Sequence, residues 1–567
     1  MDRRAFLKSG SIGVGGLLLS GGSMTALIRE AIAAESGAST PWCFGVMADT
    51  QWSNKTSDPA NPASCAINII SALNQRFIEH GAKFVVQVGD LVDSESWDCP
   101  ASYTNDPFGN AGKKAIRTLP YRAWAAQALY DAGIGFFPLR GNHEASQKAA
   151  SEIPALFPQT TGGGNNVGML DRIVNSATPG LLGLSYAIDV DNVRLVLLDQ
   201  FTRRDGTGGN ANTNIVDQLA WIDQTLANRS TDTHAFVLAH KNLIGQNHTD
   251  CLFGADPGSN PASRNAFIAS LQANRVGYAL GGHDHMHHRS QVASPDGTAR
   301  AEQIICASNS YKFYIPKTPK NDTAGRESVI ASELFTIGYY LFTVDGPSVT
   351  VEFYSSSHGA DYGDIDLLAS PSSYQFYRRE RFGYSLNGRQ FAIAPNQSYT
   401  SVQDSYQGTV AKILDGGNAD RPDDVDIYGR KEIKTVKTGW KAMPAGAASA
   451  VLKLWGLDNN LDLWNAALSG PLPNSDADYV TDTYVLSLSY DPTLVRPTQL
   501  GTGFCLAAKN ADGRWVNAVD LNAGGSKKLV IGRWRAGYAL GTYGIDPSTH
   551  TVWAVLNRDG EYVARIV

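Results

Sequence analysis

Short apolar runs bounded by glycine or polar residues recur through the first half of the chain. They predict buried strands at 44–48, 84–88, 136–139, 236–239 and 276–280. Amphipathic stretches with helical spacing lie between them, at 66–79, 121–131, 215–226 and 262–273. Strands that alternate with helices indicate βαβ units, so the pattern predicts an α/β core. Further strands are predicted at 303–307, 338–344 and 349–354.

The pattern changes after residue 356. Residues 357–410 are rich in Ser, Tyr, Gly and Asn, which is typical of an extended connector that wraps a domain. From 411 onward, short strand-like runs alternate with turn signals such as Asp512-Gly513 and Asp559-Gly560. We therefore predict an α/β domain at 40–356, a connector at 357–410 and a smaller all-β, sandwich-like domain at 411–567.

Residues that can bind metal ions follow five of the predicted strands. In α/β sheets, functional groups gather outside the carboxyl ends of the strands, so these side chains are expected to converge on one crevice. Two aspartates, an asparagine and three histidines, with a glutamine as a further candidate, are enough for two metal ions that share a bridging carboxylate. The candidate ligands are Asp49, Gln51, Asp90, Asn142, His240, His283 and His285.

This ordered set, spread over residues 42–290, resembles the calcineurin-like metallophosphoesterase superfamily. The resemblance implies a two-sheet αββα sandwich, whose second sheet the late strands would complete. It also implies an enzyme that hydrolyses phosphoric esters, with a metal-bound hydroxide attacking phosphorus. Asp90 would bridge the two ions, and Asn142 would supply an oxygen ligand to the second.

Three residues beside the ligands are candidates for catalytic roles. His143 would donate a proton to the leaving oxygen, a task that suits histidine near neutral pH. Glu144 would orient His143 and favour its protonated form. Asp93 would support His143 by hydrogen bonding, with a solvated carboxylate at a helix start as the alternative.

Gln51 departs from the usual Asp-x-His pattern of the first motif. A carboxamide oxygen is a harder donor than imidazole, which favours manganese or iron at this position, with zinc as a further candidate. The Asp-x-Gln variant also resembles manganese-dependent ADP-ribose/CDP-alcohol diphosphatases. The alternative for Gln51 is a hydrogen-bonding residue that orients true ligands. At the position of Asp93, purple acid phosphatases have a tyrosine ligand, so its absence argues against that subfamily.

The first 33 residues have the features of a twin-arginine signal peptide. Arg3-Arg4 precedes a short apolar stretch at 11–27, and Ala31-Ile32-Ala33 offers a small-x-small cleavage site. A transmembrane anchor is the weaker alternative, because the apolar stretch is short and rich in glycine. We expect a bacterial protein that the twin-arginine translocation machinery exports to the periplasm or the medium, with no stable membrane anchor.

The chain has a formal net charge of −6 and no basic runs, which argues against a nucleic-acid partner. The resemblance implies a phosphoester substrate, and we expect it to be a small molecule. An oxidising compartment would permit disulfides among the six cysteines, and Cys65–Cys99 is the first-choice pair, because both follow the first two strands. His287 and His288 extend the histidine run and are interpreted as polar residues on an exposed segment.

Other functions fit parts of the same sequence. Within the class, the alternative is a phosphodiesterase or diphosphatase that acts on nucleotide-type pyrophosphates, and the ligand set does not separate these activities. From another class, the alternative is a non-catalytic exported binding protein that uses its C-terminal β domain. The near-complete ligand set favours an enzyme, because a decayed site should have lost ligands.

Overall fold

The structure is a computed structural model. It describes residues 40–53, 60–164, 168–209, 214–255, 258–310, 312–314, 316–317, 325–334, 336–357, 374–393, 402–403, 410–415, 434–456, 483–500 and 502–567. The predicted signal peptide at 1–33 lies outside these residues. Within them, no helix is both long enough and apolar enough to cross a membrane.

The strands and helices of the first domain alternate as the sequence predicts. In chain order the strands are β1 (Trp42–Met47), β2 (Phe84–Gln87), β3 (Ser96–Trp97), β4 (Ile116–Arg117), β5 (Gly135–Pro138), β6 (Arg172–Asn175), β7 (Tyr186–Val190), β8 (Val193–Leu198), β9 (His234–Ala239), β10 (Tyr278–Gly281), β11 (His287–Ala293), β12 (Arg300–Ile305), β13 (Glu327–Glu333), β14 (Thr336–Asp345), β15 (Ser348–Ser357) and β16 (Tyr377–Ser385). The helices are α1 (Ile67–Glu79), α2 (Leu119–Ala125), α3 (Gln127–Asp131), α4 (Gln147–Leu156), α5 (Leu219–Ala227) and α6 (Pro261–Ala273).

Two sheets face each other in this domain. The first has the order β16-β15-β14-β1-β2-β5, with β1, β2 and β5 parallel; the second has the order β13-β11-β12-β10-β9-β8-β7-β6, with β12, β10, β9 and β8 parallel. Aromatic side chains fill the space between them. Phe44 stacks on Phe342 at 4.8 Å within the first sheet and meets Phe236 of the second sheet edge-on at 5.8 Å. Because such large apolar groups are fully buried here, the facing sheets form the central core.

The helices cover the outer faces of the two sheets. Apolar residues of α1, such as Ile70 and Phe77, pack on the outer face of the first sheet. Ile222 of α5 and Phe267 of α6 pack on the outer face of the second. This is the two-sheet αββα sandwich, so the fold class is confirmed. The parallel strands of both sheets bring their carboxyl ends to one edge, where the candidate ligands follow.

The predicted connector contains a strand of the first sheet. β16 pairs antiparallel with β15, for example Val351 with Phe382, so this sheet continues past residue 356. The polar composition conceals a partly buried strand, in which Arg379 and Glu380 are buried because their charges have partners inside the protein. The Glu380 carboxylate accepts from His287 Nε2 at 3.0 Å and also pairs with Arg289. Charged residues can be buried when they are paired, and a prediction from polar composition alone does not take this pairing into account.

The last part of the chain forms two packed sheets of its own. Its strands are β17 (Gln390–Ile393), β18 (Val402–Gln403), β19 (Val410–Asp415), β20 (Lys434–Lys441), β21 (Val451–Trp455), β22 (Thr483–Ser489), β23 (Phe504–Lys509), β24 (Trp515–Asn517), β25 (Lys528–Ile531), β26 (Thr542–Asp546), β27 (Thr551–Leu556) and β28 (Gly560–Ile566). Their orders are β17-β20-β21-β28-β23-β24 and β18-β19-β22-β27-β26-β25. Trp440, Leu486 and Tyr562 belong to the core between them. The all-β character expected here is confirmed, although β17 and β18 begin it inside the predicted connector.

Two local predictions are wrong. All six cysteines are free thiols, so the Cys65–Cys99 pair does not form. The Sγ of Cys65 faces the carbonyl of Leu91, whereas Cys99 lies in the loop that connects β3 and β4. His287 and His288 are buried in β11 rather than exposed, because each bonds to a buried carboxylate. His288 Nε2 lies 2.9 Å from Glu327 Oε1.

Candidate active site

The candidate ligands lie at neighbouring strand ends. They follow five strands of the two sheets, and each lies one to four residues after the end of its strand. Asp49 follows β1, Asp90 follows β2, Asn142 follows β5, His240 follows β9, and His283 and His285 follow β10. The convergence expected from strand order is therefore present.

Two groups of buried side chains have the arrangement of metal-binding sites. Asp90, His240 and His283 form one group, and Asp49, Asp90 and His285 form the other. In each group, the potential ligand atoms all lie within 4.8 Å of one another. Asp90 belongs to both, which is the arrangement that a carboxylate bridging two ions requires.

The backbone at four of these residues is strained. Asp49, Asp90, His283 and His285 have φ angles of 53°, 46°, 72° and 55°, in the left-handed region that favours glycine. Such a conformation costs on the order of 1–3 kcal/mol per residue and persists only where the surrounding structure enforces it. Gly141 and Gly89 contribute to this, because a Cβ at either position would collide with Asp90 or His240 respectively. The strain is concentrated where the side chains converge.

Each of the three histidines has one ring nitrogen engaged outside the two groups. His240 Nδ1 lies 3.1 Å from the carbonyl of Val88, and His285 Nδ1 lies 3.1 Å from the carbonyl of Lys312. His283 Nε2 lies 3.1 Å from Asp250 Oδ1. Metal-binding histidines use the same arrangement, because an outer acceptor fixes the tautomer and leaves the other nitrogen for the ion.

Two oxygen atoms in the same place have no hydrogen-bond partner. They are Asp49 Oδ2 and Gln51 Oε1, both buried. The Gln51 amide nitrogen donates to Asp90 Oδ2 at 2.9 Å and lies 3.2 Å from His285 Nε2. A buried acceptor without a partner costs roughly 1–3 kcal/mol, which a bound cation would offset. The carboxylate, carboxamide and imidazole donors thus fit divalent metal ions. Gln51 contacts Asp90, the residue common to both groups, through its hydrogen bond.

The electrostatics of the site also favour cations. Burial raises the pKa of Asp49 well above its usual range, and the neighbouring Asp90 carboxylate adds to this, although His240 opposes it. Burial alone would lower the pKa of His240, but Asp90 and Asp49 outweigh it and raise that pKa to about 9. Burial lowers the pKa of His285 to about 3. The histidines around Asp90 hold its pKa well below the usual range despite its burial, so this carboxylate stays charged, whereas Asp49 and His240 would release protons when metal ions bind.

Asn142 and His143 lie in a short 3₁₀ helix, Asn142–Glu144, just after β5. Asn142 Oδ1 accepts from His240 Nε2 at 2.9 Å, so it lies beside the first group. His143 Nδ1 lies 2.6 Å from the backbone carbonyl of Asp93, and His143 Nε2 lies 3.8 Å from Asp90 Oδ2. Asp93 therefore contacts His143, but through its carbonyl; its carboxylate oxygen is 3.6 Å from His143 Nδ1.

Glu144 does not orient His143 as the sequence suggested. Its carboxylate oxygens accept from the backbone N–H groups of Val92 and Gly141, each at 2.9 Å. The burial of this carboxylate and the nearby Asp90 raise the pKa of Glu144 to about 7. Glu144 instead connects the loops after β2 and β5, which carry Asp90 and Asn142.

Sequence reasoning missed three residues of the site. Asp250 contacts His283, Lys241 Nζ lies 2.6 Å from Asp250 Oδ2, and Lys312 Nζ donates to Asp93 Oδ1 at 2.9 Å. Lys312 follows β12, which lies beside β10, so the strand-end rule could have found it. Asp250 lies ten positions after His240 in a polar loop, and no motif marks it.

Comparisons with known proteins bear on the identity of this domain. The model of the calcineurin-like phosphoesterase family matches residues 44–287. Among curated protein sequences, no significant match is found.

Several solved structures are similar to this chain. A purple acid phosphatase from yellow lupin (Lupinus luteus) seeds is 15% identical, with a TM-score of 0.37 over 62% of this chain and 55% of the lupin protein. The chain thus spans just over half the length of that enzyme. PhoD is 12% identical, with a TM-score of 0.39 over 62% and 70% of the two chains. A dimetal phosphatase from Danio rerio is 15% identical, with a TM-score of 0.30 over 55% and 95%.

Proposed function

We propose that the chain is a phosphoester hydrolase of the calcineurin-like metallophosphoesterase superfamily, whose family model matches residues 44–287, and that it is an exported enzyme acting on small-molecule phosphoric esters. Asp49 and His285, with Gln51, would hold one metal ion. Asn142, His240 and His283 would hold the other, and Asp90 would bridge the two. The sharing of Asp90 between two buried acid–histidine groups is the observation that carries this assignment.

The metal ions, when bound, supply a water nucleophile at neutral pH and offset the charge of the phosphoryl oxygens. The protein's own side chains act on the leaving group. His143 is exposed enough to meet a substrate, with a side chain that is 22% accessible, and its Nε2 faces the Asp90 side. We assign it the donation of a proton to the leaving oxygen. The Asp93 carbonyl holds the opposite ring nitrogen.

The native metals are proposed as manganese or iron, because the first motif has a carboxamide where an imidazole is usual. Zinc is the further candidate with which manganese and iron should be compared. The export proposal depends on Arg3-Arg4 and the small residues near Ala33. A protein that folds in the cytoplasm before export would acquire its metals there, which supports the twin-arginine route for a metalloenzyme.

An activity screen tests the proposed function. Protein stripped with a chelator and reconstituted separately with manganese, iron or zinc is assayed on a phosphomonoester, a phosphodiester and a diphosphate. We expect hydrolysis of at least one class by the reconstituted protein and very low rates for Asp90→Asn, which removes the shared charge. Folded, metal-loaded protein that hydrolyses none of the three would contradict the proposal and favour a binding protein.

A further inference from the structure

Lys312 lies at the edge of the candidate metal site. Its backbone carbonyl accepts from Ser308 Oγ at 2.8 Å and lies 3.1 Å from His285 Nδ1, which anchors this segment to the ligand cluster. Its Nζ donates to Asp93 Oδ1 at 2.9 Å and lies 3.4 Å from His143 Nε2. The ammonium group is therefore held next to the face of His143 that looks into the site.

Asp93 aligns these two cation-capable groups. Its carbonyl meets His143 Nδ1 and its carboxylate meets Lys312 Nζ, so one residue holds both side chains together. The side chains of His143 and Lys312 are 22% and 18% exposed, whereas those of Asp90 and His240 are almost completely buried. Lys312 and His143 thus form part of the solvent-facing side of the site, where a substrate enters.

The position of Lys312 relative to His143 determines which part of a substrate it meets. The proposed function assigns His143 to the leaving oxygen, so Lys312 lies on the leaving-group side of the phosphorus. A lysine ammonium is a compact charge that binds phosphate oxygens with strong, charge-assisted hydrogen bonds. A leaving group with its own negative charge close to the scissile bond would gain this contact. An uncharged alcohol would not.

We propose that Lys312 is a substrate-binding residue that selects leaving groups carrying a phosphate, so that the preferred substrates contain a diphosphate linkage. This inference rests on the proposed function and narrows it to one substrate class. Lys312 would contact the oxygens of the departing phosphate. The residues that would hold the metal ions serve the phosphoryl group that is attacked. What determines the preference is whether a negative charge lies on the leaving group, rather than the total charge of the substrate.

Matched substrates separate this role from a general effect on the site. ADP and AMP both present a terminal phosphate, but the leaving group is charged AMP in the first case and uncharged adenosine in the second. For a wild type that prefers diesters, the corresponding pair is diadenosine diphosphate, which releases charged AMP, and the dinucleoside monophosphate of adenosine, which releases uncharged adenosine. The quantity compared is the ratio of kcat/KM values within the pair that the manganese-loaded wild type hydrolyses.

We expect Lys312→Met to lower kcat/KM for the diphosphate substrate by about 10- to 100-fold, the usual effect of losing a hydrogen bond between charged groups. The loss on the matched substrate should be at least tenfold smaller. Lys312→Arg should keep most of the preference, because it keeps the charge. Lys317→Met is the control, since Lys317 is exposed in the same segment and should leave the ratio unchanged. Manganese content is measured for every variant.

Three outcomes would overturn the inference. Equal losses on both substrates would mean that Lys312 only positions Asp93 and His143. No loss on either substrate, with metal content intact, would mean that Lys312 does not contact the substrate. A wild-type protein with a higher kcat/KM for AMP than for ADP, or for the simple diester than for diadenosine diphosphate, would show that the proposed preference does not exist. By contrast, a metal-loaded wild type that hydrolyses no phosphoester at all would contradict the proposed function.

Discussion

His143 gives the most specific prediction at the scale of single residues. Its Nε2 faces the site while the Asp93 carbonyl holds Nδ1, which is the geometry needed by a proton donor. General-acid assistance is typically worth ~10²–10⁴-fold in rate. We expect His143→Ala to keep its metal ions but lose about that factor on an alkyl phosphate. The loss on 4-nitrophenyl phosphate should be much smaller, because that leaving group needs little protonation. Similar losses on both esters would argue against the role.

Asp250 gives a prediction that is independent of activity. It contacts His283 Nε2 at 3.1 Å and is itself held by Lys241. Loss of such an outer contact usually weakens metal binding by roughly 10- to 100-fold. Calorimetric titration of chelator-treated Asp250→Asn with manganese should therefore show one weakened site and one unchanged site. Asp232→Asn, at an exposed position before β9, is the control. Two unchanged sites in Asp250→Asn would refute this role.

The residues that sequence alone could identify were those at strand ends in recognisable motifs. Asp90 and His283 follow apolar runs directly, so residue type and position together predicted where they would meet. Glu144 has an equally suggestive position, but its partners are backbone N–H groups of folded loops, which no residue pattern encodes. Asp250 was missed because its partner, His283, is distant in the chain. Contacts of this kind depend on loop conformation rather than on spacing.

At the scale of elements, the loops that carry the site are tied together by a buried ion pair. Arg140, after β5, pairs with Asp199, after β8, at 2.6 Å, and both side chains are fully buried. Arg140 also donates to the carbonyls of Glu144, Ser146 and Thr202. This pair therefore holds the short helix of Asn142 and His143 against the neighbouring loop.

We predict that Arg140→Met destabilises the first domain by about 3–5 kcal/mol, because it leaves the Asp199 charge buried without its cation. The measurement is the free energy of unfolding in urea. Arg203→Met is the matched control, since Arg203 pairs with the half-exposed Asp217 at 2.6 Å and its loss should cost no more than about 1 kcal/mol. Equal effects in the two variants would contradict the importance given to the buried pair.

Element prediction succeeded where apolar periodicity was clear. The runs at 84–88 and 276–280 correspond to β2 (Phe84–Gln87) and β10 (Tyr278–Gly281), with shifts of one or two residues at their ends. It failed at β16 (Tyr377–Ser385), where Arg379 and Glu380 are buried in a sheet. The pattern treats charge as a sign of exposure. The structure buries these charges because partners from other strands neutralise them.

At the scale of the whole molecule, the two domains meet through polar contacts. Lys441 of β20 pairs with Asp345 of the first domain and with Glu561 of its own domain. Asn387 donates to the carbonyl of Trp440 at 2.9 Å. The chain has a net charge of −6, so attraction of phosphate must be local. Bound metal ions, together with His143 and Lys312, would supply it.

The proposed export also concerns the whole chain. If the twin-arginine route carries the chain, replacing Arg3 and Arg4 by lysine should leave the precursor in the cytoplasm, because the pathway recognises the arginine pair. Arg29→Lys makes the same chemical change later in the leader and should be exported normally. Cell fractionation followed by immunoblotting makes the comparison. Normal export of the double variant would rule out this route.

The central claim is that two metal ions at the carboxyl ends of the strands perform phosphoester hydrolysis. The most direct measurement is the rate of ester hydrolysis as chelator-treated protein is titrated with manganese, with the metal bound per chain determined at each step. The account predicts little activity below one equivalent, a plateau near two equivalents, and no plateau for Asp90→Asn. Full activity at one equivalent or without metal, or no activity with two ions bound, would contradict it.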